Sequence, residues 1–154
     1  MEALIKFLHE LVMFTAVAVS MGSSLYLRRV ASAGHVPTIQ RVFVMARPYL
    51  AAIAPLYGLG TLLGLIAAWV AGLPLLVLWL VVAYILTVAA AILGRVSEGW
   101  AVRVTKLASQ ELGNEVPSGE LKAVLDEKFA ASIFWIDVVL IAVFVALMVF
   151  RPTL

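Results

Sequence analysis

Long apolar stretches alternate with short polar connections along this chain, and the lengths of the stretches carry the first inference. Crossing the hydrocarbon core of a bilayer takes about 20 residues of helix, at roughly 1.5 Å per residue. Four segments reach that length: residues 3–27, 49–70, 75–94 and 129–150. The second and third are joined by Ala71-Gly72-Leu73-Pro74, short enough only for a tight helical hairpin, with Trp69 and Trp79 beside it as aromatic anchors at one membrane surface. The opening residues Met1-Glu2-Ala3-Leu4-Ile5-Lys6 are acidic as much as basic, so the first segment reads as a membrane helix and not as a secretory signal.

The connections have a pattern of their own. From Thr38, the residues Ile39, Val42, Phe43 and Ala46 recur at helical spacing with Gln40, Arg41 and Arg47 off the stripe. This predicts an amphipathic helix at the cytoplasmic interface, bending at Pro48 into the second span. Pro55 inside that span removes a backbone bond and is expected to kink it. Beyond Gly94 the helical pattern continues through Trp100, Val104, Leu107 and Leu112 and stops at Gly113-Asn114. Pro117-Ser118 restarts a helix, with Ser118 as N-cap and Glu120 in its first turn, and Leu121, Leu125 and Phe129 carry the apolar face into the fourth span. The expected fold is all-α: a polytopic membrane protein forming one domain over residues 1–154. It is a four-transmembrane-helix bundle with a cytoplasmic helical hairpin extending helices 3 and 4.

Composition agrees with the segment lengths. The chain is 64% hydrophobic and 13% charged, with a mean hydropathy of +1.10. In water much of that apolar surface would be exposed; in lipid the solvent is itself apolar. Charge then sets the orientation. Arg28, Arg29, Arg41 and Arg47 lie in the first connection, and Arg95, Arg103, Lys106, Lys122 and Lys128 in the third. The second connection has no cation, while Lys6 and Arg151 lie toward its side of the membrane. By the positive-inside rule the basic connections are cytoplasmic and both termini non-cytoplasmic. The cations form no run interleaved with aromatics, so no nucleic-acid surface is expected. Cysteine is absent, which removes disulfides, thiolate metal sites and thiol catalysis.

Two groups of residues could carry chemistry. Asp137 falls near the middle of the fourth span, where insertion of a carboxylate costs about 2.5–3.5 kcal/mol. Counting along each segment brings Thr15, Tyr57, Thr61, Tyr84 and Thr87 to a similar depth, so an intramembrane polar cluster is expected. It would either hold a proton or small cation, or act as interhelical hydrogen-bonding glue. The second group is on helix one, where Glu2, Lys6, His9, Met13, Ala16, Ser20 and Ser23 share a face. His9 with Met13 one turn on could ligate haem or copper; otherwise His9 is a hydrated residue at the outer interface. His35 lies in the opposite connection, about 30 Å away, so the two histidines cannot ligate one haem within a monomer. Gly60-x-x-x-Gly64, Ala18-x-x-x-Gly22 and Ser20-x-x-x-Ser24 permit close helix approach, within the chain or in a homo-oligomer. Nothing resembles a nucleophile–base pair, an HExxH site or a P-loop, so no enzyme signature is present.

The run Lys6-Phe7-Leu8-His9, the small-residue segment ending Met21-Gly22-Ser23-Ser24, the opening Arg47-Pro48-Tyr49-Leu50 and the motif Tyr57-Gly58-Leu59-Gly60 carry a resemblance. Together they resemble an uncharacterised bacterial family of four-helix integral membrane proteins. More distantly, the pattern is similar to the membrane domains of copper-resistance D proteins and HemJ-type protoporphyrinogen oxidases, whose first-helix histidine maps onto His9. The resemblance implies a multi-pass protein of the bacterial inner membrane. Three roles are carried forward. The first is a non-enzymatic bundle, without cofactor, that assembles with other membrane proteins in the bilayer. The second is a proton- or cation-linked carrier centred on Asp137. The third is a membrane redox domain holding haem b or copper through His9 and Met13.

Overall fold

A computed structural model describes residues 2–150, apart from the side chains of residues 129–131, 134, 148 and 149. The described chain is all-α. It contains α1 (Glu2–Ala33), α2 (Val36–Val70), α3 (Leu78–Gln110), α4 (Gly119–Leu125) and α5 (Lys128–Phe150). Helices α1, α2 and α3 are each long and apolar enough to cross a membrane, and α5 carries the shorter apolar stretch Trp135–Leu147. Large apolar side chains point outward along them, including Phe14, Leu62, Ile85, Val88, Ile92 and Val139. Such surface is compatible with lipid and would be a large apolar patch in water. The chain is a membrane protein by these criteria.

Local chemistry sets the boundaries. At the end of α1, Gly34 adopts φ 67°, a left-handed conformation that glycine reaches without strain. His35 is extended, and Pro37 follows within the first turn of α2, where its missing N–H is harmless. Helix α2 ends in a Schellman motif: Gly72, at φ 68°, donates to the Trp69 carbonyl, and Leu73 donates to the Ala68 carbonyl, both at 3.0 Å. The connection continues to Val77, so α3 begins three residues later than the apolar run. Ser118 caps α4 as its sequence suggests, accepting from the Leu121 N–H while Glu120 lies in the first turn. The Glu111 carboxylate in turn accepts from both the backbone N–H and the hydroxyl of Ser118. The α3–α4 connection is thereby clamped, and Val36 N–H donates to the Glu115 carbonyl at 3.2 Å, tying it to the start of α2.

Helix α1 packs along α2 and α2 along α3, while α5 lies against α3 and α1. The densest packing is at the end bearing the basic connections. There Val36, Ile39, Phe43, Ala101, Val104, Ala108 and Leu121 are fully buried. Phe43 meets Trp100 edge-on at 5.3 Å between ring centroids, and the Trp100 indole N–H donates to the Val124 carbonyl at 3.0 Å. Arg103 and Glu127 pair bidentately at the surface of the same end.

This core corrects one expectation. Residues 38–47 do not form a separate interfacial helix bending at Pro48; α2 runs unbroken from Val36 to Val70 with Pro48 and Pro55 inside it. Ile39 and Phe43 of the stripe are fully buried, because the extension of α3 past Gly94 to Gln110 supplies an apolar partner for them, while Val42 and Ala46 are half-buried beside α1. An amphipathic stripe records that an apolar surface is needed, and an adjacent helix satisfies it as well as a lipid interface does. The apolar pattern of α3 also ends sooner than expected, at Gln110, leaving Leu112 exposed in the turn. Leu121 is buried and Leu125 half-buried, while the Phe129 side chain lies outside the described residues.

Candidate functional site

The inward face of α1 builds the site. His9, Met13, Ala16 and Ser20 recur at spacings of four, three and four, so they form one stripe. Ala16 is fully buried, and Met13 and Ser20 nearly so. Opposite the first two lies Gly60-x-x-x-Gly64 of α2. A Cβ added at Gly60 would collide with the Met13 sulfur, and one at Gly64 would stand 2.8 Å from Cε1 of His9. The two glycines are therefore seats for the His9 and Met13 side chains, which is the close approach the motif permits.

His9 is further held by a hydrogen bond of 2.8 Å between Nδ1 and the Gly60 carbonyl. A carbonyl only accepts, so Nδ1 carries the proton, and the neutral ring presents Nε2 as an acceptor. This is a fixed imidazole and not a freely hydrated one. Its anchoring follows from the missing side chain at Gly64, which lets the ring approach α2 closely enough to reach the carbonyl one turn earlier.

Two cavities flank His9. One, of about 260 Å³, opens near the N-terminus of α1 and is lined by Glu2, Lys6, His9, Trp79, Tyr84 and Thr87 among others. The Tyr84 hydroxyl is buried there without a hydrogen-bond partner among the described residues. The second, of about 120 Å³, lies between α1 and α5 and is lined by His9, Glu10, Met13, Tyr57, Asp137 and Phe144 among others. Asp137 is 7% exposed. Its Oδ2 accepts from the Ser20 hydroxyl at 3.4 Å. Ser20 lies about three helical turns, or roughly 16 Å, along α1 from His9.

The expected hydroxyl ring around Asp137 is thus divided. Tyr57 shares the second cavity with Asp137. Thr61, Tyr84 and Thr87 line the first cavity with His9, and both threonine hydroxyls donate to their own helix, at the Tyr57 and Ala83 carbonyls. Thr15 is exposed and bonds the Leu11 carbonyl. Depth counting ignored azimuth: at about 100° per residue, Thr15 is turned about 120° away from His9, whereas Ser20 returns to the same face. That phase was the available signal for Ser20, which the sequence places on the His9 stripe and in a small-residue motif but not beside Asp137.

Nδ1 of His9 is held by the Gly60 carbonyl, which leaves Nε2 as the ring nitrogen able to ligate a metal, and Met13 is packed on the same glycine. No cluster of three His, Cys, Asp or Glu side chains able to hold a metal occurs among the described residues. The larger of the cavities beside His9 has a volume of about 260 Å³. No family model, curated protein or solved structure matches the chain.

Proposed function

We propose that the chain is a four-span membrane bundle acting as a small proton-linked carrier, with His9 and Asp137 as its proton-binding groups. The observation that carries this reading is that His9 lines both cavities, the one near the N-terminus of α1 and the one that Asp137 also lines. A proton arriving at Nε2 converts His9 to a cation that donates from both nitrogens; its release restores the acceptor. The exposed lining of the second cavity is apolar, so transfer from His9 to the carboxylate that would receive the proton calls for water to enter it transiently. Ser20 remains a donor to Asp137 when the latter is ionised.

Proteoliposomes containing a pH-sensitive dye test this directly. Under an imposed gradient, wild type is expected to equilibrate protons at least tenfold faster than empty vesicles, and Asp137→Asn to fall to the empty-vesicle rate with its helicity intact. Asp137→Leu should in addition lose up to about 2 kcal/mol of stability, the scale of an intramembrane hydrogen bond. Equal rates for wild type and Asp137→Asn would remove the carrier reading and leave Asp137 as packing.

A second reading, assembly with other membrane proteins through a cytoplasmic α3–α4 hairpin, is favoured by one observation. Leu112 and Val116 are 54% and 73% exposed on the clamped connection, beside charged residues and away from the apolar faces of the long helices. Because the chain has no cysteine, Asn114→Cys gives a unique label that tests the orientation and this reading together. It is expected to be unreactive toward an impermeant maleimide applied outside intact cells. A thiol-directed crosslinker attached there should capture a membrane protein in native membranes. External labelling would overturn the proposed placement of both termini outside, and absence of any adduct would remove the docking element.

A further inference from the structure

The α1–α2 pair carries an outward-facing groove that neither reading uses. It encloses about 390 Å³ and is lined by Gly22, Ser23, Tyr26, Val42, Ala46 and Tyr49 among others. Its α1 wall is built of small residues: Gly22 is exposed, and a Cβ added there would meet no atom within 4 Å. Tyr26 and Tyr49 are 58% and 62% exposed at its edges. Along α2 the groove extends over residues 42–49, about 10 Å of helix axis.

Charge at its connection end is of one sign. Helical register sets Arg29 one turn beyond Tyr26 on α1 and Arg41 one turn before Met45 on α2. No Asp or Glu occurs anywhere between Glu10 and Glu98. Neither Arg29 nor Arg41 forms an ion pair among the described residues, where the pairs are Arg95–Glu98 and Arg103–Glu127. An apolar groove, flanked by tyrosines of the kind that sit at headgroup level and ending in two arginines without carboxylate partners among the described residues, matches one ligand chemistry. It fits an acyl chain joined to a phosphodiester anion.

We infer that this groove is a binding site for an anionic phospholipid, one acyl chain lying on Gly22 and Ala46 and the phosphate meeting Arg29 and Arg41. The site is independent of His9 and Asp137, so failure of the carrier reading leaves it untouched.

Native mass spectrometry of the full chain, released from micelles doped with phosphatidylglycerol or phosphatidylcholine, tests it. Wild type is expected to retain one phosphatidylglycerol with at least tenfold preference over phosphatidylcholine. Arg29→Gln with Arg41→Gln should abolish the preference. Gly22→Leu should displace the lipid while keeping wild-type helicity and melting temperature, since the space above Gly22 is open. Equal retention of both lipids by wild type, or undiminished phosphatidylglycerol retention in Gly22→Leu, overturns the site. Displacement of the lipid by millimolar inorganic phosphate would also overturn it, because the acyl chain would then contribute nothing. A wild-type dimer that Gly22→Leu converts to monomer would assign the groove to a second copy of the chain instead.

Discussion

Replacing Phe43 by Ala is expected to destabilise the protein by about 3–5 kcal/mol, the range for emptying a phenylalanine site in a packed core. Phe43 is fully buried, and its ring meets Trp100 edge-on, an arrangement worth about 0.5–1.5 kcal/mol beyond area alone. Trp100 is itself oriented by its bond to the Val124 carbonyl, so the vacancy would loosen the contact between α3 and the α4 end as well. Phe43→Leu, which keeps most of the volume, should lose under about 1.5 kcal/mol. Val44, one residue on and 42% exposed, provides the contrast: Val44→Ala should change stability by less than about 0.5 kcal/mol. Reversible unfolding in mixed SDS micelles, followed by circular dichroism, measures all three. Were residues 38–47 an interfacial helix, Phe43→Ala and Val44→Ala would differ little. Similar losses for the two would refute the inward packing of this segment.

The second large effect is at the glycine seat. Gly64→Leu is expected to lose about 2–4 kcal/mol. Overpacking a fitted interface costs about 1–3 kcal/mol, and the displaced His9 ring also gives up its bond to the Gly60 carbonyl, worth about 0.6–2 kcal/mol within a membrane. A Cβ at position 64 would already stand 3.0 Å from the imidazole Nδ1, so the branched side chain leaves the ring no place on α2. His9→Ala alone should lose about 1–2 kcal/mol, being a hydrogen bond and a packed ring, whereas a hydrated His9 would predict no loss. The two substitutions must couple. Removing the ring vacates the space that the introduced leucine needs, so the double variant should be more stable than Gly64→Leu alone. Losses that simply add in the double-mutant cycle would show that His9 does not rest on Gly64.

How much of this was legible beforehand follows from what each signal measures. Apolar run length by itself determined that α1, α2 and α3 are helices able to cross a membrane, because the span is fixed by bilayer thickness and helical rise. Cap chemistry is local, so Ser118 was readable as the start of α4, and the Gly60/Gly64 spacing was readable as a close-approach site. The 3.6-residue period likewise put His9, Met13, Ala16 and Ser20 on one face of α1, and that face is the inward one. A period fixes azimuth within one helix only. The relative rotation and axial shift of two helices come from the sum of many packing contacts, with little preference contributed by any single residue. Only the tertiary structure could therefore decide that Asp137 meets Ser20 and not Thr15, and that His9 is bound to the Gly60 carbonyl. The inward turn of Ile39 and Phe43 was settled in the same way, because their partner, Trp100, lies on a different helix whose register no local pattern encodes.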